Sequence, residues 1–75
     1  MRSNIIISLK EVETLLLNDA VCTKDRREEV LSTLFEIDSK EDRKWVFTDD
    51  KKRYYIDEYN QYNDFVKTYT FKNEQ

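Results

Sequence analysis

Trp45-Val46-Phe47-Thr48-Asp49-Asp50-Lys51-Lys52-Arg53-Tyr54-Tyr55-Ile56 is the stretch in which apolar spacing changes from helical to alternating. Two runs of aromatic and β-branched residues, 45–48 and 53–56, flank four polar residues, Asp49 to Lys52. That pattern predicts a β-hairpin with a four-residue loop. In this register Trp45 opposes Ile56 and Phe47 opposes Tyr54 on one face, and each such pair contributes about 0.2–1 kcal/mol.

Downstream, Asn60 to Asp64 carries two Asn and an Asp and reads as a second turn. Phe65-Val66-Lys67-Thr68-Tyr69-Thr70-Phe71 follows with strand propensity, Phe65, Tyr69 and Phe71 sharing a side. A competing helical stripe runs through Tyr55, Tyr59, Tyr62, Val66 and Tyr69.

Upstream of the hairpin, Ser39 to Lys44 is polar and reads as a turn. Before it, Val30, Leu31, Leu34 and Phe35 form the apolar stripe of a helix that begins near Thr23 or Asp25 and ends near Ile37 or Asp38. An earlier helix starts at Ser8-Leu9-Lys10-Glu11, which has capping-box form, with Ile7 and Val12 positioned for a hydrophobic staple. Leu9, Val12, Leu15 and Leu16 share one face of it, and Asn18-Asp19 is the stop, since Asn tolerates the left-handed conformation. Residues 4–7 read as a short β-branched strand. The expected fold is α+β in the order β-α-α-β-β-β, two N-terminal helices packed on a small antiparallel sheet, as one domain over residues 1–75.

Composition narrows the function. Leu, Ile, Val and Phe make up 20 of 75 residues, enough for a core, and 39% charged residues leave a net charge of only −3. There is no Gly, Pro or His, and Cys22 is the lone cysteine. Without His, the commonest general base and metal ligand is missing. Without Gly there is no P-loop, dinucleotide fingerprint or nucleophile elbow. A single Cys closes no internal disulfide, and Ile5-Ile6-Ile7 is too short for a signal core or membrane span. The expectation is a cytoplasmic, non-enzymatic protein with no cofactor and no metal. A core of this size is marginal, so a homodimer through a sheet edge or the tyrosines is a further expectation.

Several constellations have plainer readings. Asp49-Asp50 could hold a cation, but Lys51, Lys52 and Arg53 follow directly and neutralise it. Cys22 beside a helix start reads as a half-buried structural thiol, because no His exists to activate it. The most distinctive segment is Tyr54 to Val66, with four Tyr, three acids and no basic residue. Tyrosine supplies large contact area with few rotors, and neighbouring acids steer it toward a basic surface. Asp57, Glu58 and Asp64 with Tyr55, Tyr59 and Tyr62 are therefore the candidate partner-binding residues, extended by Glu36, Asp38, Glu41 and Asp42. The expected partner is a protein with a basic surface, itself nucleic-acid-binding, with no direct nucleic acid and no membrane.

Two likenesses bear on this. Ile7-Ser8-Leu9-Lys10-Glu11-Val12 followed by Leu15-Leu16 resembles the first helix of excisionase-type DNA-binding domains, over about ten residues, without the basic recognition helix that family places next. In kind, the chain resembles the small acidic phage proteins that take over a host. Some of those imitate DNA and block host DNA-binding proteins such as the nucleoid protein HU. That likeness implies masking of a basic host surface, and it carries over no residue. The alternatives are a nucleic-acid-binding regulator that uses the basic and aromatic hairpin 51–55, and a tyrosine-mediated inhibitor or immunity-type partner.

Overall fold

The computed structural model describes residues 4–73. In chain order the elements are β1 (Asn4–Ile6), α1 (Leu9–Asn18), α2 (Lys24–Asp38), β2 (Arg43–Asp49), β3 (Arg53–Asn60) and β4 (Phe65–Lys72). The fold is α+β: two helices lie on one face of an antiparallel sheet. The body of the sheet is β2, β3 and β4 joined by hairpins, and β1 adds three residues along β2, giving the order β1-β2-β3-β4. No described helix is long and apolar enough to cross a membrane.

Both helix starts are capped by hydroxyls. Ser8 Oγ accepts the Glu11 N–H at 3.5 Å, and Thr23 Oγ1 accepts the Arg26 N–H at 3.1 Å, so Thr23 rather than Asp25 opens α2. The staple does not form: Val12 is fully buried while Ile7 is left exposed. α1 stops where expected but by another device. Asp19 is the C-cap in an extended conformation, not a left-handed Asn, and its carboxylate accepts the Val21 N–H. On α2 the buried stripe is Val30, Leu34 and Ile37, at spacings of four and three, which leaves Phe35 half in water.

The core joins Val12 and Leu16 of α1, the α2 stripe, and Trp45, Phe47, Tyr54, Ile56 and Phe71 from the sheet. The β2–β3 turn is tighter than the sequence suggests. Asp49 stays in the strand, and Lys51, at φ 63°, centres a γ-turn closed by the Lys52 N–H on the Asp50 carbonyl. The register is therefore shifted: Phe47 opposes Ile56, Trp45 opposes Glu58, and Asp49 opposes Tyr54. A shift of two residues preserves every face, so the four residues expected on one side remain there. Residues 55–69 form strands and a turn, not a helix. The outer strand β4 is blunted as an edge by Lys67, Lys72 and a bulge.

Candidate functional site

The β3–β4 hairpin is built by its two Asn residues. Asn60 Oδ1 accepts the N–H groups of Tyr62 and Asp64 at 2.9 and 3.0 Å, while the Asn60 N–H donates to the Asp64 carbonyl at 2.9 Å. Asn63 takes the left-handed position at φ 67°, where Asn is the best substitute for Gly. Lys44 Nζ donates to Asn63 Oδ1 at 2.8 Å and ties the tip to β2.

A bulge then changes the side-chain pattern. Tyr59 pairs with Phe65 but Glu58 pairs with Lys67, leaving Val66 without a cross-strand partner. Phe65 consequently sits beside Tyr59, ring centroids 6.1 Å apart and edge to face, instead of sharing a side with Tyr69 and Phe71. Tyr62 is 75% exposed, Phe65 60% and Val66 39%, so three apolar side chains cluster in water at one hairpin tip.

The acids divide into two groups. Glu58, expected on the partner-binding surface, is only 4% exposed. Its Oε2 accepts from Arg43 Nε at 3.0 Å and its Oε1 from the Tyr69 hydroxyl at 2.8 Å. The hydrogen bond to this carboxylate, then burial, raises the Tyr69 pKa above its ordinary value. Asp57 is also buried, and its Oδ1 accepts from Thr68 Oγ1 at 2.6 Å. Both carboxylates are internal structural groups, because sheet neighbours from Arg43, Thr68 and Tyr69 close over them. Tyr55 is half-buried in mid-sheet between Thr48 and Thr70, remote from the tip.

The remaining candidates do come together. Arg43 pairs with Asn60, which brings the 39–42 loop alongside the 60–64 turn. Glu36, Asp38, Glu41 and Asp42 at the end of α2 and in that loop are exposed at the same end of the molecule as Asp64, Tyr59 and Tyr62. Asp38 Oδ1 accepts the Trp45 indole N–H at 2.9 Å, and Asp42 Oδ2 meets Arg43 Nη1 at 3.3 Å. A cleft of about 510 Å³ lies along β2, lined by residues that include Ile7, Asp38, Lys44, Trp45, Tyr59 and Asn63. Phe65 and Val66 were missed by simple alternation, and in a chain without Gly no residue type marks the bulge.

Elsewhere, the Tyr54 hydroxyl donates to the Asp19 carboxylate, and burial, then this bond, pushes the Tyr54 pKa up. Cys22 is half-buried, with its Sγ 3.5 Å from the Thr23 carbonyl. No three His, Cys, Asp or Glu side chains cluster as a metal set among the described residues. The chain matches no family model, no curated protein and no solved structure.

Proposed function

We propose that this is a non-catalytic, cytoplasmic interaction protein that docks the tip of its β3–β4 hairpin onto a basic surface of another protein. The observation that carries the reading is the exposed cluster of Tyr62, Phe65 and Val66, flanked by Tyr59, with the exposed acids Glu41, Asp42 and Asp64 at the same end of the molecule. An apolar, aromatic centre with a charged rim is the usual anatomy of a protein interface. The centre supplies desolvated contact area, and the rim accelerates encounter with an oppositely charged partner. Masking of a basic host surface is also what the resemblance in kind to small acidic phage proteins implies. Imitation of DNA is not part of the proposal, because burial of Asp57 and Glu58 removes two carboxylates from the row it needs.

The test is capture from a nuclease-treated bacterial lysate on immobilised protein, eluted at rising salt. The proposal expects basic proteins to be retained by wild type, to elute as the rim charges are screened, and to be lost on Tyr62→Ser/Phe65→Ser. Retention unaffected by that double substitution contradicts it. Retention that needs Tyr62 and Phe65 but ignores salt favours the tyrosine-mediated inhibitor instead.

A further inference from the structure

β1 covers only Phe47, Thr48 and Asp49 of the seven-residue strand β2. The ladder stops there because Ser8, which in the same register would meet Trp45, is committed to α1. Its Oγ accepts the Glu11 N–H and its carbonyl accepts the Val12 N–H. On the other side of β2, the Asp50 N–H donates to the Arg53 carbonyl at 2.9 Å. Hydrogen bonding alternates along an antiparallel pair, so Thr48, Val46 and Lys44 turn their N–H and C=O groups to β3. Asp49, Phe47, Trp45 and Arg43 turn theirs outward. The first two meet β1, and among the described residues no strand meets the last two. The cleft of about 510 Å³ lies along this stretch and is lined from both faces of the sheet. Trp45 alternates to the helix side, Lys44 and Val46 to the other, and the exposed Ile7 follows the end of β1. A trough open to both faces along a strand edge has the shape of a missing strand. Asp38, the last residue of α2, lines its helix side; Oδ1 accepts the Trp45 indole N–H, and among the described residues no cation pairs with this carboxylate. The last turn of α2 holds no basic residue, so the partial negative charge of the helix C-terminus adds to that of Asp38.

We infer that this edge takes up an extended peptide segment of another protein as an added strand beside Arg43 to Val46, in line with β1, with a Lys or Arg of the peptide meeting Asp38. In strand addition the main-chain hydrogen bonds supply affinity and alternate side chains supply specificity. The peptide residue opposite Trp45 projects to the same face as Trp45, so its aliphatic stem packs on the indole while its charge reaches Asp38. Its two neighbours project to the other face, beside Lys44 and Val46. The free stretch is four residues, about 13 Å at roughly 3.3 Å per residue, which suits a short linear segment. A second copy of the chain is a poorer fit. Its own β1 lies on the same edge, and antiparallel pairing of the two β2 edges would bring that strand against the 39–42 loop. Tyr62, Phe65 and Val66 do not line the cleft, so this site goes beyond the docking tip and does not depend on it.

Trp45 is the lone tryptophan, so its fluorescence reads the site directly. The experiment titrates the chain with the end-capped tetrapeptide Val-Lys-Val-Thr and follows backbone amide exchange by NMR in parallel. In the free chain the Arg43 and Trp45 amides should exchange faster than those of Lys44 and Val46, which bond to β3. Peptide should change the Trp45 emission saturably and slow exchange at Arg43 and Trp45. Methylating the peptide's Lys nitrogen removes one strand-pairing donor and should weaken binding about 5- to 150-fold. Asp38→Asn keeps an oxygen for the Trp45 indole and removes the charge, so it should weaken binding about 2- to 5-fold. Tyr62→Ser/Phe65→Ser should bind the peptide as wild type does, which separates this site from the docking tip. The inference is overturned by no saturable change up to millimolar peptide, by equal binding of the methylated peptide, or by Asp38→Asn binding as wild type. Slow exchange at Arg43 and Trp45 without peptide overturns it as well. Should that protection grow with protein concentration, a second copy occupies the edge instead.

Discussion

Tyr69→Phe removes a single oxygen and tests whether Glu58 is an internal structural group. In the folded chain the Tyr69 hydroxyl donates to Glu58 Oε1 while Arg43 Nε occupies Oε2. With the hydroxyl gone, Oε1 of a carboxylate that is 4% exposed loses that donor. A hydrogen bond to a charged group contributes about 1.5–3 kcal/mol. Tyr69 is half-buried and water reaches part of its ring, so the lower end, about 1.5–2 kcal/mol, applies here. For a domain of this size that lowers Tm by roughly 6–16 °C. The loss is a large part of the total stability of a 75-residue domain, about 4–11 kcal/mol. Thermal melts followed by circular dichroism provide the reading. A double-mutant cycle with Glu58→Gln assigns it, since partners in one network couple by about 0.5–3 kcal/mol. A Tm within ~2 °C of wild type, or a strictly additive cycle, refutes the assignment of Glu58 to the interior.

Three further expectations follow from the same geometry. Because the Tyr54 and Tyr69 pKa values are raised in the folded state, their contribution to stability is complete below the ordinary tyrosine value of 10.0 and is lost as pH climbs past it. Urea midpoints should therefore fall steadily above that pH in wild type, and less steeply in Tyr69→Phe; a flat alkaline profile contradicts this. Lys51→Gly should raise Tm by relieving a left-handed residue, a gain of up to about 1 kcal/mol after the entropy of the unfolded chain is counted. Asn63→Gly should gain less because it forfeits the Lys44 hydrogen bond, so equal gains at both turns would show that the bond contributes nothing. Cys22→Ser should leave the fold and partner capture intact; loss of capture in a folded variant would make the thiol a binding group.

Local chemistry makes most of the elements legible in the sequence. Ser8 caps α1 where the capping-box pattern puts it, α2 opens at Thr23, one of the two starts read for it, and alternation assigned Trp45, Phe47, Tyr54 and Ile56 to one face. The departures are all non-local or turn-dependent. The γ-turn at Lys51 shifted the hairpin register by two, and no residue type announces that turn in a chain lacking Gly. The bulge opposite Glu58 and Tyr59 moved Phe65 to the exposed side. Asp57 and Glu58 looked like surface acids because their partners are distant in sequence: Thr68 and Tyr69 are each 11 positions away, and Arg43 is 15 from Glu58. The acidic and aromatic character of the candidate site was legible, whereas which of its acids face water depended on pairing.

The most direct test of the proposed docking surface is hydroxyl-radical footprinting of the chain, free and bound to a captured basic protein. The account predicts that protection on binding is confined to Tyr59, Tyr62, Phe65 and Val66 with the 36–42 segment, while Arg53, Tyr55 and the exposed face of α1 stay as reactive as in the free chain. Protection centred on residues 51–55, or on α1, with Tyr62 and Phe65 unchanged, would contradict it.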